Sequence, residues 1–466
     1  MSSPRLAVRD IALFERPVRF AKPFRFGAVT VDAAPQAFVR VEIDVEGKGR
    51  AVGASAEMMI PKWFDKRPHL ALAQTVEELR QSLTVARDLY LASDGLETSF
   101  ALHAARIGTQ MSTCAGRDIP ALAAAFGPAE IDKAILDAVL RALGLSFFQG
   151  MTCNIAGIDA RLTGDLDDGE ITSFLDSRQP SSRVAIRHTV GLDDEVEGPN
   201  GVGAIARATA THYFKLKLGG NPDSDAVRLA AIGREIDGLG GEMSVTLDAN
   251  EQYAAFESLA DLVRRIEHEK ALAPIARRLL YIEQPMPRDL TRQTPLRGLG
   301  PIAVIIDEAD DSYDAFPAAK ALGYRGISSK ACKGFYKSVL NATRARAWSS
   351  SGETFFITGE DLTCQAGLAV QQDLALGAFL GLTHAERNGH HYVDGFGAAP
   401  FHESSAFLKA HPDLYADDGH GVHLAIRDGA LSTASLGGPG FASGVHPDWA
   451  SLAPLHIQHQ NTLQET

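Results

Sequence analysis

Hydrophobic and polar residues follow two different periodic patterns in the first third of this chain. FVRVEIDV, at residues 38–45, alternates apolar and polar positions, and the glycine-containing EGKGR after it is typical of a turn. VEELRQSLTVARDLYLA and AEIDKAILDAVLRALGLSFF instead repeat apolar residues every three or four positions, as an amphipathic helix does. Strands followed by helices predict an α+β domain over residues 1–150.

A third pattern begins near residue 183, where short apolar runs rich in β-branched residues alternate with helical stretches. Eight such runs follow: RVAIRHTVG, YFKLKLGG, MSVTLDAN, LLYIEQPMP, IAVIIDEAD, YRGISSKACKG, TFFITGED and GLTHAERN. Eight β/α units predict a (β/α)8-type barrel over residues 151–395. An open doubly wound sheet is the alternative, but no glycine-rich nucleotide loop supports it. Residues 396–466 are rich in glycine and loops.

Composition and charge narrow the class of protein. The chain has 466 residues, of which 45% are hydrophobic and 22% charged, as in an ordinary globular protein. Its net charge of −13 argues against nucleic acid as the main partner. The four cysteines show no CxxC spacing, so the sequence predicts neither a zinc site nor a disulfide framework. Neither a signal peptide nor an apolar run of about 20 residues is evident. We therefore expect a cytoplasmic protein.

Charged residues stand at the ends of five consecutive predicted strands. They are Lys215 and Lys217, Asp248 with the neutral Asn250 two residues later, Glu283, Asp307 and Glu308, and Lys330 and Lys333. The carboxyl ends of barrel strands form the active site in enzymes with this fold. Alternate residues on a strand share a face, so the two lysines of KLK should point the same way.

Three clustered carboxylates need a compensating cation, and Mg²⁺ is the divalent ion that suits oxygen ligands and water. Lysines beside such a cation should have pKa values lowered towards neutral, which would let them act as general bases. A divalent metal between lysine bases suits the abstraction of a proton next to a carboxylate. The series therefore predicts an enzyme of that kind acting on a small carboxylate.

KLKLGG, LDAN, IEQP, IIDEA and SSKACKG follow one another in this order, and the series resembles the enolase superfamily, within the mandelate racemase/muconate lactonizing enzyme family. The muconate lactonizing enzymes are the most similar subgroup. The resemblance covers nearly the whole chain. It implies the barrel, an α+β capping domain to which residues 396–466 return, and a Mg²⁺ cofactor, with Mn²⁺ as an alternative.

The same resemblance implies a role for each charged strand end. Three carboxylates resemble the metal ligands: Asp248, Glu283 and Asp307. Lys217 and Lys330 resemble bases on opposite faces of the substrate, and Lys215 resembles the neighbour that lowers the pKa of Lys217. Asn250 resembles a group near the metal. We expect Glu308 to orient Lys330 through an ion pair.

Some positions depart from the family pattern. KACKGF replaces the usual KxGG, so Lys333 is a rival to Lys330. The stretch IEHEKALAPIARRL is longer than usual, which leaves its local structure open. Further acids follow DEA at the end of the fifth predicted strand: Asp310, Asp311 and Asp314. Asp310 could substitute for a metal ligand, but we expect these acids to be solvated loop residues. At the eighth strand we expect Glu386 to face inward and contact substrate, and His390 and His391 to be loop residues rather than ligands.

Two segments of the first domain match the loops that close over the site in this family. They are KPFRFG at residues 22–27 and AEMMIPKWF at residues 56–64. Arg25 or Lys62 would pair with a distal acidic group of the substrate, and Trp63 would contact its apolar part. Further apolar walls are Phe24, Phe26, Met58 and Met59. Packing between the domains is an equally good interpretation of these residues.

The resemblance leaves the reaction open. Lysines on both faces permit racemisation or epimerisation, cycloisomerisation, or β-elimination. An acid-sugar dehydratase is an alternative, but it would need a histidine base, and the seventh strand ends in Glu360 and Asp361. A metal-binding homologue without catalytic activity is another alternative. A homo-oligomer is expected.

Overall fold

The computed structural model describes residues 2–349 and 352–457. The last nine residues of the predicted C-terminal segment, 458–466, lie outside the described residues. Three parts of the described chain matter for function. They are an N-terminal sheet covered by helices, a closed barrel, and a C-terminal segment that contacts both.

The N-terminal sheet is an antiparallel meander of three long strands, as the alternation over residues 38–45 predicts. They are β1 (Leu6–Phe26), β2 (Val29–Val45) and β3 (Gly49–Met58). The strands pair in the order β1-β2-β3. The β1–β2 hairpin turns at Gly27, whose φ of +52° favours glycine. A Cβ on Gly27 would lie 2.6 Å from the Gln252 side chain, so this turn reaches the barrel.

Helices cover one face of this sheet. They are α1 (Leu72–Leu91), α2 (Ser99–Ala115), α3 (Ala121–Ala124), α4 (Phe126–Leu143) and α5 (Phe147–Thr152). Residues 126–140 of α4 are all buried, because α4 packs between the sheet and the other helices. It ends at Gly144 in the left-handed conformation, a common helix terminator.

Eight parallel strands form a closed barrel, so the predicted (β/α)8 fold is confirmed and the open sheet is wrong. The strands are β4 (Arg183–Val190), β5 (Tyr213–Lys217), β6 (Ser244–Asp248), β7 (Leu279–Glu283), β8 (Ala303–Ile306), β9 (Gly326–Ser329), β10 (Phe356–Gly359) and β11 (His384–Glu386). Each pairs with the next, and β11 pairs with β4 to close the ring. All eight runs recognised in the sequence are strands of this barrel.

Helices connect and surround the barrel strands. They are α6 (Asp168–Asp176), α7 (Val202–Thr209), α8 (Pro222–Leu239), α9 (Phe256–His268), α10 (Ala273–Ala276), α11 (Arg288–Thr291), α12 (Ala315–Ala321), α13 (Phe335–Trp348), α14 (Leu368–Leu380), α15 (Gly389–Tyr392) and α16 (Phe401–Ala410). The long IEHEKALAPIARRL stretch contains the end of α9, a 3-10 turn and α10. Among the described residues, no helix is both long and apolar enough to cross a membrane.

The C-terminal segment ties the barrel to the N-terminal sheet. Its strands are β12 (Tyr415–Asp417), β13 (Val422–Leu424), β14 (Ala430–Ser432) and β15 (Ala453–Pro454). β14 pairs with the beginning of β4, and β15 pairs with β1. A buried ion pair of 2.7 Å between Arg16 on β1 and Glu403 on α16 adds to this contact. The sheet is thereby held in place above the barrel.

Candidate active site

The carboxyl ends of neighbouring barrel strands carry buried charged side chains. Lys215 and Lys217 are two residues apart on β5 and share a face. In the sheet register Lys217 lies beside Asp248 of β6, and Asp248 lies beside Glu283 of β7. Asp307 directly follows β8. All five side chains are buried. The strand ends that the sequence singled out therefore meet at one end of the barrel.

Lys215 lies at the centre of these charges. Its Nζ is 2.9 Å from carboxylate oxygens of Asp248, Glu283 and Glu386 and 2.8 Å from Glu360. These four carboxylates come from β6, β7 and the ends of β10 and β11. Glu386 therefore faces inward, as expected, and its structural partner is a lysine of the chain itself.

Lys217 shares one of these carboxylates with Lys215. Its Nζ lies 2.5 Å from Asp248 Oδ2, the same oxygen that Lys215 approaches to 2.9 Å. It also donates to Asn250 Oδ1 at 2.8 Å, while the Asn250 backbone N–H donates to Asp248 Oδ1 at 2.9 Å. Asn250 thus lies beside both a predicted ligand and a predicted base, and it orients both.

Asp307 joins the two rival lysines of the sixth barrel strand. Lys330 Nζ donates to Asp307 Oδ2, and Lys333 Nζ lies 3.2 Å from Asp307 Oδ1. Lys333 also donates to the Ser328 carbonyl at 2.8 Å and pairs with Asp310 at 3.1 Å. Asp310 is buried, so its expected place in a solvated loop is wrong. These contacts hold the Lys333 ammonium against Asp307, Asp310 and the backbone of Ser328.

Carboxylate partners raise the pKa values of two of these lysines, Lys330 and Lys215. Burial disfavours the ammonium of Lys330, but the contact with Asp307 outweighs burial and raises its pKa. Burial likewise opposes the charge of Lys215, yet its carboxylate partners raise the pKa well above the ordinary value. Burial, followed by repulsion from Asp248, raises the pKa of Glu283 well above its usual range. Negative charge is therefore crowded around Glu283.

The three carboxylates have the chemistry of a divalent cation site. Asp248 and Glu283 already direct oxygens at one cation, the Lys215 ammonium, at 2.9 Å each. Asp307 is turned to Lys330, and across residues 2–349 and 352–457 no three His, Cys, Asp or Glu side chains are arranged to share a metal. Buried oxygen donors crowded with negative charge suit a hard cation. It would replace Lys215 as the shared partner of Asp248 and Glu283.

Two aromatic rings from the N-terminal domain cover the candidate bases. The Phe24 ring, on the β1–β2 hairpin, has its centroid 5.8 Å from Lys217 Nζ. The Trp63 ring has its centroid 4.3 Å from Lys330 Nζ. Both rings are buried. The segments at residues 22–27 and 56–64 therefore lie over the carboxyl ends of the barrel strands.

Lys66, which the sequence did not single out, lies two residues after the second of these segments and binds it to the barrel. Its Nζ is 2.7 Å from Glu308, 2.9 Å from Glu251 and 2.8 Å from the Asn250 carbonyl oxygen. The expected ion pair between Glu308 and Lys330 is therefore wrong. Glu308 pairs with Lys66, and Lys330 pairs with Asp307.

The two cations predicted to bind the distal end of a substrate lie elsewhere. Arg25 is 44% exposed at its side chain and pairs with Asp193 at 3.0 Å. Lys62 donates to the carbonyl oxygen of Arg67, five residues further along the chain, at 2.5 Å. Neither side chain contacts the carboxylate cluster in this structure. Met58 is fully buried, as interdomain packing requires.

The paired histidines belong to a short helix beside the barrel mouth. His390 and His391 lie on α15, and His390 Nε2 is 3.3 Å from Nδ1 of His188 on β4. Burial lowers the pKa of His390 to about 3, so this ring is neutral at neutral pH. His391 contacts Lys22 of the hairpin at 3.0 Å. These rings pack and position the hairpin.

Two buried residues of the site, Arg187 and Glu360, were not predicted to have a role. Glu360, at the end of the seventh strand run, contacts Lys215 and forms an ion pair with Arg187 of β4. An arginine within the strand RVAIRHTV was the available signal, because an inward-facing arginine in a barrel needs a buried anion. The partner on another strand could not be read from the sequence.

Comparisons with known proteins identify the fold. No family model matches the chain, and no curated protein matches it. Solved structures do match, over nearly the full length of both chains. Muconate lactonizing enzyme from Mucobacterium Smegmatis, complexed with muconolactone, has a TM-score of 0.60 and 18% identity, covering 95% of this chain and 98% of its own.

Two further matches have different named activities. A dipeptide epimerase from Cytophaga hutchinsonii, complexed with Mg and the dipeptide D-Ala-L-Val, has a TM-score of 0.59 and 12% identity, covering 96% of this chain and 98% of its own. A 2-chloromuconate cycloisomerase from Rhodococcus opacus 1CP has a TM-score of 0.59 and 17% identity, covering 95% and 97%. Identities this low show a shared fold, the capped barrel of enolase-superfamily structures.

Proposed function

We propose that the protein is a member of the enolase superfamily, a Mg²⁺-dependent enzyme that abstracts the proton α to a substrate carboxylate. The position of Lys217 and Lys330 carries this proposal. In the ring of eight strands, β5 and β9 are separated by three strands on either side, so these lysines enter from opposite sides. A substrate carbon held between them is open to proton transfer on both faces.

Asp248, Glu283 and Asp307 would hold the metal, since they are buried acids on successive strand ends. When bound, the divalent cation supplies Lewis-acid charge to the substrate carboxylate. Lys217 removes or returns the proton on one face, and Asn250, which accepts from its ammonium, fixes its direction.

Lys330 serves the opposite face, either as a second base or as a fixed cation. Its ammonium is covered by the Trp63 ring, and Phe24 covers Lys217 in the same way. These rings exclude water from the reacting carbon, and they favour a small substrate with an apolar or planar flank beside its carboxylate.

Racemisation or epimerisation and cycloisomerisation are the outcomes that a lysine on each face supports. The matched structures include an epimerase and a cycloisomerase. An acid-sugar dehydratase is a weaker candidate, because Glu360 at the end of the seventh strand is committed to Arg187 and Lys215 and no histidine stands there.

The proposal is tested by proton exchange in D₂O. The full-length protein would be incubated with Mg²⁺ and a library of small carboxylates, including N-acyl amino acids, dipeptides and unsaturated dicarboxylates, and α-deuteration would be measured by NMR and mass spectrometry. We expect Mg²⁺-dependent exchange with at least one class, lost in Lys217→Ala and kept in the exposed control Lys48→Ala. Metal binding without exchange across the library would favour a non-catalytic homologue.

A further inference from the structure

The inside of the barrel contains an ion pair that the proposed chemistry does not use. Arg187 of β4 and Glu360 after β10 pair through Arg187 Nη2 and Glu360 Oε1, and both side chains are 0% exposed. Arg187 also donates to the Gly359 carbonyl oxygen at 2.9 Å and contacts His384 Nδ1 at 2.8 Å. The guanidinium is therefore fixed from three directions.

Stability alone gives no reason to keep this pair. The free energy needed to remove two charges from water is as large as, or larger than, the free energy gained from their attraction. Apolar residues of similar size often stabilise a protein equally well. Barrel interiors are usually filled by branched aliphatic side chains. A fully buried Arg–Glu pair at this position therefore indicates a role in the site.

The second oxygen of Glu360 shows what that role is. While Oε1 faces Arg187, and the Tyr281 hydroxyl at 3.3 Å, Oε2 accepts from Lys215 Nζ at 2.8 Å. Arg187 thus fixes the carboxylate, and the carboxylate fixes the ammonium. The chain of contacts runs from β4 through β10 to β5, across the inside of the ring.

The other partners of Lys215 explain why this anchor is needed. Asp248 and Glu283 are the carboxylates that would hold the metal, and a metal there competes with the Lys215 ammonium for them. Glu360 and Glu386 come from strands that supply none of the proposed ligands. They are the partners that Lys215 would retain.

We propose that Glu360, held by Arg187, is a positioning residue that keeps the Lys215 ammonium fixed at the floor of the site, beside Asp248 and Lys217. This inference rests on the proposed function for its catalytic consequence. Its structural consequence, the immobility of Lys215, stands apart from any substrate.

The test separates positioning from stability with paired substitutions. Glu360→Gln alone leaves a buried guanidinium unpaired, so it should lower the urea midpoint as well as activity. The double variant Arg187→Met/Glu360→Gln removes both charges. The matched control is Arg16→Met/Glu403→Gln, which removes another buried Arg–Glu pair, one that joins β1 to α16.

Two measurements are made on each double variant. The first is the rate of acetylation of Lys215 by trace acetic anhydride, read by tandem mass spectrometry so that Lys217 is resolved separately. The second is kcat and KM for α-proton exchange in D₂O. We expect Arg187→Met/Glu360→Gln to acetylate Lys215 at least about tenfold faster and to lower kcat at least about tenfold with little change in KM, because displaced catalytic groups have effects of this size. The control should leave the acetylation rate of Lys215 unchanged.

Unchanged Lys215 acetylation in a folded Arg187→Met/Glu360→Gln variant would overturn the inference, whatever the activity of the protein. Faster acetylation with full exchange activity would show that Lys215 is held but that its position does not matter, which also overturns the positioning role. Absence of exchange in the unmodified protein would count against the proposed function, and the acetylation result would still decide whether Glu360 holds Lys215.

Discussion

Acid should weaken the contact between the N-terminal domain and the barrel at one identifiable residue, Glu251. Its carboxylate lies 2.9 Å from Lys66 and accepts from Arg288 through both oxygens, at 3.1 and 3.0 Å. Burial alone would raise its pKa, but the two cations outweigh burial and lower the pKa from the ordinary 4.5 to about 2. Glu251 is therefore bound more tightly as an anion in the folded protein than in the unfolded chain.

The magnitude follows from that difference. At roughly 1.4 kcal/mol per pH unit, lowering a pKa from 4.5 to about 2 corresponds to about 3 kcal/mol of stability. Because the folded pKa is the lower one, this contribution is fully present above the unfolded value and is lost as the pH falls towards about 2. A glutamine keeps some hydrogen bonds to Arg288, so the loss on substitution should be about 2 kcal/mol.

The perturbation is Glu251→Gln, and the assay is urea unfolding followed by tryptophan fluorescence at several pH values. At pH 7 we expect the variant to unfold at a lower urea concentration than the unmodified protein. The difference between their urea midpoints should become smaller as the pH is lowered from about 5 to 3. The exposed acid Glu242, changed to Gln, is the control and should leave the midpoint unchanged. A gap of the same size at pH 7 and pH 3, or no gap at pH 7, would refute the reasoning.

Two further predictions concern the segments that cover the site. Arg25→Ala should change kcat/KM less than about twofold, because exposed ion pairs such as the one with Asp193 contribute little. Lys22→Ala should raise KM several-fold, since Lys22 pairs at 2.5 Å with the buried Asp194. Steady-state exchange kinetics of both variants test this, and a larger effect of Arg25→Ala would restore its predicted contact with substrate. Trp63→Ala should lower kcat at least about tenfold and widen the range of accepted carboxylates, because it opens the cover of the site to water; an unchanged substrate profile would show that the ring only packs between the domains.

The pattern of the chain predicts the barrel because each strand run is bounded by glycine, proline or polar residues and recurs once per β/α unit. The ordered acids and lysines then place the site, since parallel strand ends meet on one face. Lys217, Asp248 and Glu283 are lateral neighbours for that reason alone. Their contacts follow from the register of the strands alone.

Pairings between distant segments were not predictable in the same way. Glu308 follows Asp307 directly, so its pairing with Lys330 was reasonable, but successive residues at a strand end diverge and Glu308 meets Lys66 of the other domain instead. Arg187 and Glu360 are separated by six strands in the sequence and by one hydrogen-bond distance in the barrel. Such contacts depend on closure of the ring and on how the domains dock, which periodicity does not encode.

Exchange of the α-proton by single lysine variants tests the central claim most directly. Each enantiomer of a substrate found by the library would be incubated in D₂O with Lys217→Ala and with Lys330→Ala, and deuterium at the α-carbon would be followed over time. If the two lysines serve opposite faces, Lys217→Ala should lose exchange with one enantiomer and Lys330→Ala with the other. Full exchange of both enantiomers by either variant would contradict the account, because it would remove that lysine from the reaction.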